Sequence, residues 1–112
     1  MHALIIEDDA VIAMLIEEEL RDLGYSSVDV ASTEEEAVRS FARRCPDLVT
    51  SDGSLLHGSG VGAVGRIRAL SPVRVIFITG DPEDAGDSFR DAPILPKPFS
   101  VSQLIATVQK AQ

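Results

Sequence analysis

The sequence contains few cysteines and few aromatic residues. Among its 112 residues there is one cysteine, Cys45, one tyrosine and no tryptophan. A single thiol excludes an internal disulfide framework, and such a composition is typical of proteins in a reducing compartment. We therefore expect a cytoplasmic protein in which Cys45 has no functional role.

Positive charge is also scarce. The chain has 10 Lys and Arg against 18 Asp and Glu, which gives a formal net charge of -8. Domains that bind nucleic acid or an anionic membrane usually present a cluster of basic side chains, whereas the basic residues here are scattered. We therefore expect no direct contact with nucleic acid or membrane. An acidic excess on its own is usually explained by solubility.

Long hydrophobic runs are missing as well. No apolar stretch approaches the roughly 20 residues that a membrane-spanning helix needs, and no basic leader precedes the first apolar run. The length fits one domain with one hydrophobic core. We predict a soluble chain that forms a single domain over residues 1–112.

Short apolar runs alternate with segments of helical periodicity along the chain. Strands are predicted at 3–6, 27–31, 48–51, 74–78 and 94–95, and helices are predicted to begin near residues 10, 33, 61, 82 and 100. Because parallel neighbours need a crossover helix between them, this alternation predicts an α/β fold with a doubly wound parallel sheet. Asp9 is placed to cap the first helix. The buried side of the second helix is expected to consist of Ala37, Val38, Phe41 and Ala42.

Four of the predicted strands lead directly into polar residues. Glu7, Asp8 and Asp9 follow the first strand, Asp52 the third, Thr79 the fourth and Lys97 the fifth. In doubly wound sheets, ligands bind beyond the carboxyl ends of the strands, which lie at one edge. We therefore expect carboxylates, a hydroxyl and an ammonium to meet at this edge.

Each of these residues has a plainer explanation when it is taken alone. The acidic residues could form a solvated turn before a helix, Lys97 could be a surface lysine, and Thr79 could cap a helix. Taken together, closely spaced carboxylates repel one another unless some are protonated or a cation joins them. Mg²⁺ prefers oxygen ligands and often leaves coordination positions for a phosphate. We therefore predict a site that accepts a phosphoryl group.

The residues at the strand ends resemble a known family. Glu7-Asp8, Asp52, Thr79 and Lys97-Pro98-Phe99 stand in the order and at the spacing found in the receiver domain of two-component response regulators. The resemblance extends from Leu4 to Val108 and implies a flavodoxin-like (βα)5 fold with strand order 2-1-3-4-5. It also implies a stand-alone receiver domain, because no output domain follows.

A finer resemblance concerns the end of the fourth strand. Phe77-Ile78-Thr79-Gly80 is similar to the Phe-Ala-Thr-Gly-Tyr motif of a stress-response subgroup of alphaproteobacterial single-domain regulators. Ile78 and Asp81 depart from that motif.

The family resemblance implies a role for each residue of the site. Asp52 would accept a phosphoryl group from a sensor histidine kinase or a histidine phosphotransfer protein, and Thr79 and Lys97 would bind the phosphoryl oxygens. Mg²⁺ would be held by Asp8, Glu7, Asp52 and the backbone carbonyl of Ser54. The resemblance thus implies a phosphoryl acceptor and not an enzyme. It would signal through protein contacts or act as a sink for the phosphoryl groups of a pathway.

The chain departs from the family at several positions. The family carries an aromatic residue three positions before the lysine, where this chain has Ile94, and a proline is common where it has Leu56. The segment between Thr79 and Lys97 is also short. The usual switch surface is therefore altered, and we expect a monomer. In the family, the residues at Ser54 and Asp81 tune hydrolysis of the aspartyl phosphate, and we hypothesise that the Asp81 carboxylate orients the attacking water.

Two alternatives remain open. A pseudo-receiver would keep the fold as a protein-binding module without phosphorylation, which the loss of the aromatic at Ile94 makes conceivable. A hydrolase of the haloacid-dehalogenase type also uses an aspartate nucleophile after a strand. Such enzymes need a second aspartate two residues after the first, where this chain has Ser54.

Overall fold

Strands and helices alternate along the chain in the computed structural model, which describes residues 1–82 and 89–111. The described elements are β1 His2–Ile6, α1 Ala10–Asp22, β2 Ser27–Ala31, α2 Glu34–Arg43, β3 Leu48–Ser51, α3 Gly60–Leu70, β4 Arg74–Thr79, β5 Ile94–Pro96 and α4 Val101–Ala111. The helix predicted to begin near residue 82 falls mainly on residues 83–88, outside the described part of the chain.

The five strands form one parallel sheet in the order β2-β1-β3-β4-β5. This confirms the predicted doubly wound fold and its strand order. Ile6 pairs with Ser51, and Thr79 pairs with Pro96. Because these pairs align the ends of four strands, the residues that follow them leave the sheet at the same edge.

The sheet separates two hydrophobic clusters. Successive side chains of a strand point to opposite faces, so Leu4 and Ile6 pack with α2 and α3, whereas Ala3 and Ile5 pack with α1 and α4. β1 is buried along its whole length, as expected for a parallel strand covered on both faces. The edge that carries the polar residues therefore belongs to a sheet that is packed against helices on both faces.

Side chains close the first turns of α1 and α2. Asp9 Oδ1 accepts hydrogen bonds from the backbone N–H groups of Val11 at 2.9 Å and Ile12 at 3.2 Å, as predicted. Thr33 Oγ1 accepts from the N–H of Glu36 at 3.1 Å, and the Glu36 carboxylate accepts from the N–H of Ser32 at 2.8 Å. Caps of this kind typically contribute about 1 kcal/mol to stability.

The buried side of α2 differs from the prediction at one position. Ala37 and Phe41 are buried as expected, but Ala42 is exposed and Ser40 is buried instead. Residues three and four positions apart share a helix face, so Ser40 lies beside Ala37 whereas Ala42 is turned away. The prediction chose Ala42 because it is hydrophobic, but the helix geometry places the small polar Ser40 on the buried face.

The helices are short. The longest described helix, α1, has 13 residues. None of the helices in residues 1–82 and 89–111 combines the length and the apolar character that crossing a bilayer requires.

Candidate functional site

Three charged side chains from three strand ends are in direct contact. Lys97 Nζ lies 2.9 Å and 3.2 Å from the two carboxylate oxygens of Glu7, and 3.0 Å from Asp52 Oδ2. Glu7 follows β1, Asp52 follows β3 and Lys97 follows β5. Groups that are up to 90 positions apart in the sequence are thus joined by one ammonium.

Glu7 is an unusually buried carboxyl group, with only 2% of its surface exposed. Burial, assisted by the nearby charges of Asp52 and Asp8, raises the pKa of Glu7 to about 7, although the hydrogen bond from Lys97 opposes the rise. Burial by itself would lower the pKa of Lys97, but hydrogen bonds to Glu7 and Asp52 outweigh it and raise that pKa. Lys97 therefore stays charged, while Glu7 ionises near neutral pH.

The raised pKa of Glu7 predicts how stability depends on pH. A carboxyl group that holds its proton more tightly when folded favours folding below its ordinary pKa, and this contribution is lost as the pH rises through the folded pKa. Between pH 5 and 8, we expect the wild type to lose as much as about 3 kcal/mol of unfolding free energy relative to Glu7→Gln. Urea denaturation of both proteins at the two pH values measures the difference.

Added Mg²⁺ serves as the control for this prediction. A cation near Glu7 favours the ionised carboxylate, so the difference between the two proteins should shrink when Mg²⁺ is present. A wild type and a Glu7→Gln variant whose stabilities change in parallel with pH would show that the pKa of Glu7 is not raised.

Asp8 completes a group of three carboxylates. Oxygen atoms of Glu7, Asp8 and Asp52 all lie within 4.8 Å of one another, while Asp8 Oδ2 accepts a hydrogen bond from the backbone N–H of Leu56 at 2.8 Å. Three carboxylates around a single ammonium leave an excess of negative charge. The donor set, all oxygen and only partly neutralised, fits a hard divalent cation such as Mg²⁺.

Thr79 lies at the same edge and is 1% exposed. Its Oγ1 accepts a hydrogen bond from the backbone N–H of Asp81 at 3.1 Å. A Cβ atom added to Gly53 would come within 3.0 Å of this hydroxyl oxygen. The hydroxyl therefore faces the residue that directly follows Asp52.

The loop between β3 and α3 is fitted closely around Asp52. The backbone N–H of Ser54 lies 3.4 Å from Asp52 Oδ1, a long contact, and the proposed ligand role of the Ser54 carbonyl stays a prediction. At the far end of the loop, a Cβ atom on Gly60 would stand 1.4 Å from the carbonyl oxygen of Asp52. The sequence analysis did not identify this contact.

The position of the missing aromatic is occupied by a partly buried aliphatic residue. Ile94 pairs with Phe77 across β4 and β5 and packs on the face covered by α2 and α3. Phe77 also stacks on Phe89, with ring centroids 5.7 Å apart, and the Arg68 guanidinium lies 5.5 Å from the centre of the Phe89 ring. The sequence analysis named Phe77 only as part of a motif and did not predict its stacking on Phe89.

An apolar groove adjoins the charged site. Ile12 and Leu15 of α1 line it together with Lys97, Pro98 and Phe99, and its volume is about 350 Å³. Lys97 contributes to both the groove and the ion pairs. A molecule that docks in this groove would therefore lie directly beside the carboxylates.

A protein-family model described as "Response regulator receiver domain" matches residues 3–109 of the chain. The regulator PhyR of Methylorubrum extorquens is 38% identical over 96% of this chain and 42% of its own length. The transcriptional regulatory protein PdtaR of Mycobacterium tuberculosis is 35% identical over 98% of this chain and 56% of its own length. The chain thus spans about half the length of these relatives.

Solved structures of similar chains have the same fold. The receiver domain of Erythrobacter litoralis PhyR superposes with a TM-score of 0.90 at 36% identity, covering 98% of this chain and 88% of that one. A CheY-like receiver domain from Methylobacillus flagellatus superposes with a TM-score of 0.84 at 26% identity, covering 100% and 98%. A variant of the anti-anti-sigma factor PhyR from Bartonella quintana superposes with a TM-score of 0.86 at 35% identity. The alignment covers 98% of this chain and 47% of that one.

Proposed function

The chain belongs to the family of response regulator receiver domains, and from this premise we propose that it is a phosphorylatable signalling switch. Asp52 would accept a phosphoryl group from a histidine kinase or a histidine phosphotransfer protein. The observation that carries the proposal is the placement of Lys97 between Glu7 and Asp52, at 2.9 Å and 3.0 Å. An ammonium held there can neutralise charge that arrives on the neighbouring carboxylate.

The proposed reaction is a displacement at phosphorus. A carboxylate oxygen of Asp52 attacks the phosphorus atom of a phosphohistidine, the new O–P bond forms, and the P–N bond breaks. The electron pair of that bond leaves with the imidazole nitrogen, which can take up a proton from solvent. The product is an aspartyl phosphate on Asp52 and an unmodified histidine on the partner.

The side chains around Asp52 position and neutralise the transferred group. Lys97 already donates to Asp52 Oδ2 and would extend to a phosphoryl oxygen, while the buried Thr79 hydroxyl would donate to another. Asp8, Glu7, Asp52 and the Ser54 carbonyl would hold Mg²⁺, which, when bound, offsets the negative charge of the phosphoryl oxygens. Positioning and charge neutralisation are most of what phosphoryl transfer requires from a protein.

We propose that the phosphoryl donor docks on the apolar groove beside Lys97. Ile12, Leu15 and Phe99 offer it an apolar surface, and Val11 and Met14 of α1 are strongly exposed. Because histidine kinases take their phosphoryl group from ATP inside the cell, the reaction would take place in the cytoplasm. A docked donor would present its phosphohistidine to Asp52.

The proposed output is a contact with another protein or the draining of phosphoryl groups from a pathway, and not enzymatic turnover. One structural relative is described as an anti-anti-sigma factor, a role exercised through protein partners. By similarity, we propose that this chain also acts through a protein and, given its net charge of -8, makes no direct contact with nucleic acid. The predicted monomeric state and the single-domain organisation stay predictions.

Mass spectrometry of the intact protein tests the proposed function. The wild type is incubated with a small phosphodonor such as acetyl phosphate, with Mg²⁺ or with EDTA. We expect the mass gain of one phosphoryl group in the presence of Mg²⁺ and little or none with EDTA. Absence of a gain with the small donor and with a panel of charged histidine kinases would instead support a pseudo-receiver.

Asp81 is expected to control the lifetime of the aspartyl phosphate. Its backbone N–H holds the Thr79 hydroxyl, which places the residue beside the acceptor site, and its carboxylate could orient an attacking water. We expect Asp81→Ala to lengthen the phosphoryl lifetime by roughly threefold or more, because the group that orients the attacking water is lost. The decay of the phosphorylated mass after removal of the donor measures this lifetime.

Asp81→Asn separates the charge of the side chain from its size. If the negative charge of the carboxylate is needed to orient the water, the asparagine variant should also decay slowly. Equal decay in the wild type and Asp81→Ala would exclude the hypothesis.

A further inference from the structure

The loop that follows Asp52 contributes directly to the carboxylate site. It spans residues 53–59, between β3 and α3, and its Leu56 N–H binds Asp8 Oδ2 at 2.8 Å. Gly60, the first residue of α3 after the loop, lies against the carbonyl of Asp52. Any shift of the loop would therefore move groups that contact both Asp8 and Asp52.

The loop is also held by Glu34, the first residue of α2. Glu34 Oε1 accepts a hydrogen bond from the N–H of Ser59 at 3.0 Å. The N–H of Glu34 donates to the carbonyl of His57 at 3.3 Å. One residue thus binds the loop on both sides of Gly58.

The fit between Glu34 and the loop depends on two glycines. Gly58 has a φ of 84°, in the left-handed region that favours glycine, and a Cβ atom there would lie 2.6 Å from Glu34 Cβ. A Cβ atom on Gly62 would lie 2.7 Å from Glu34 Oε1. The Glu34 side chain is therefore enclosed by the loop and by the first turn of α3.

Arg66 of α3 fixes the other carboxylate oxygen of Glu34. Arg66 Nη1 lies 3.1 Å from Glu34 Oε2 and also contacts Glu35 Oε1 at 2.6 Å. The Glu34 side chain is 24% exposed, whereas that of Glu35 is 66% exposed. Glu34 therefore joins the loop to α2 and α3, while Glu35 contacts Arg66 without a hydrogen bond to the loop.

We propose that Glu34 is a positioning residue for the phosphoryl-acceptor site. By holding Ser59 and His57, it fixes the loop that carries Leu56 and borders Asp52, and it thereby sets the affinity of the site for Mg²⁺ and the rate at which Asp52 is phosphorylated. The inference rests on the proposed function, but the hold of Glu34 on the loop is measurable without phosphorylation.

The test compares Glu34→Ala with Glu34→Gln and Glu35→Ala. Glu34→Ala removes the acceptor for the Ser59 N–H, whereas the amide oxygen of Glu34→Gln can still accept that hydrogen bond. Glu35→Ala is the matched control, because it removes an ion pair with the same Arg66 but no loop contact. Amide NMR spectra report hydrogen exchange at Ser59 and Leu56, and titration with MgCl2 gives the Mg²⁺ dissociation constant.

We expect Glu34→Ala to speed hydrogen exchange at both amides. We also expect it to weaken Mg²⁺ binding by roughly threefold to tenfold, because one hydrogen bond that orders the loop is lost. Phosphorylation by acetyl phosphate should slow by a similar factor. Glu34→Gln should restore most of each loss, and Glu35→Ala should stay within about twofold of the wild type, as for a surface ion pair.

Equal effects of Glu34→Ala and Glu35→Ala would overturn the proposal, since the Arg66 ion pairs would then explain them. Faster exchange at Ser59 with unchanged Mg²⁺ affinity would also overturn it, because the loop would be loosened without consequence for the site. If the wild type binds Mg²⁺ but takes up no phosphoryl group, the proposed function fails while the Mg²⁺ titration still decides the role of Glu34. If the wild type binds no Mg²⁺ at all, both proposals fail.

Discussion

Asp52→Asn is expected to take up a phosphoryl group at least about 100-fold more slowly than the wild type under the same conditions. An amide oxygen is a far weaker nucleophile than a carboxylate, and no anionic oxygen remains at this strand end. Asparagine has nearly the same size as aspartate, so the loop around position 52 should be preserved. Intact mass spectrometry of the variant and the wild type, incubated side by side with acetyl phosphate and Mg²⁺, measures the difference.

Asp9→Asn is the matched control for this experiment. Asp9 is an exposed carboxylate at the same edge of the sheet, and its side chain caps α1. Asparagine caps a helix about as well as aspartate, so we expect labelling within about twofold of the wild type. A phosphoryl group on Asp52→Asn would contradict the assignment, and peptide mapping would then show whether Asp8 or Glu7 accepts it.

Gly60→Ala is expected to destabilise the fold by at least about 2 kcal/mol, because an overpacked buried site forces the backbone to shift. The added Cβ atom would stand 1.4 Å from the carbonyl oxygen of Asp52 and 2.6 Å from Ser51 Oγ. Gly60 is buried at the start of α3, so the methyl group has no free space to enter. Urea denaturation of the variant and the wild type measures the loss.

Gly65→Ala tests whether the clash, and not the loss of a glycine in α3, causes the effect. Gly65 lies in the same helix, is exposed, and would place its Cβ atom 3.8 Å from the Phe89 ring, an ordinary contact. Alanine favours a helix interior by about 0.8–1 kcal/mol over glycine, so Gly65→Ala should be neutral or stabilising. Similar losses from both substitutions would indicate that helix flexibility, not the contact with Asp52, is important at position 60.

Much of the fold follows from local patterns in the sequence. The run Ala3 to Ile6 is apolar at every position, and β1 is buried on both faces; Asp9 stands where a cap is needed and accepts two N–H groups. The strand order came from the family resemblance and is confirmed by the pairing of the strands. The sequence also predicted that the polar residues after the strands lie at one edge of the sheet, because parallel strands all end on the same side.

The finer contacts of the site could not be predicted because they depend on how distant elements meet. Leu56 binds Asp8 through a backbone N–H, a group that every residue except proline carries, so the side chain gives no signal. Glu34 looks like an ordinary acidic residue in the first turn of a helix, and its contact with Ser59 exists only once α2 and α3 are packed together. Ala42 was misplaced because hydrophobicity was taken as a guide where helix geometry decides.

The ion pair between Lys97 and Glu7 closes the widest sequence interval in the site, 90 positions. Neither an isolated half of the chain nor a partly folded intermediate that lacks β5 can contain this pair. A ligand that contacts both Lys97 and the carboxylates would consequently bind the folded state alone, and by linkage it would shift the folding equilibrium toward that state. Occupancy of the proposed site by such a ligand would therefore also protect the chain from unfolding.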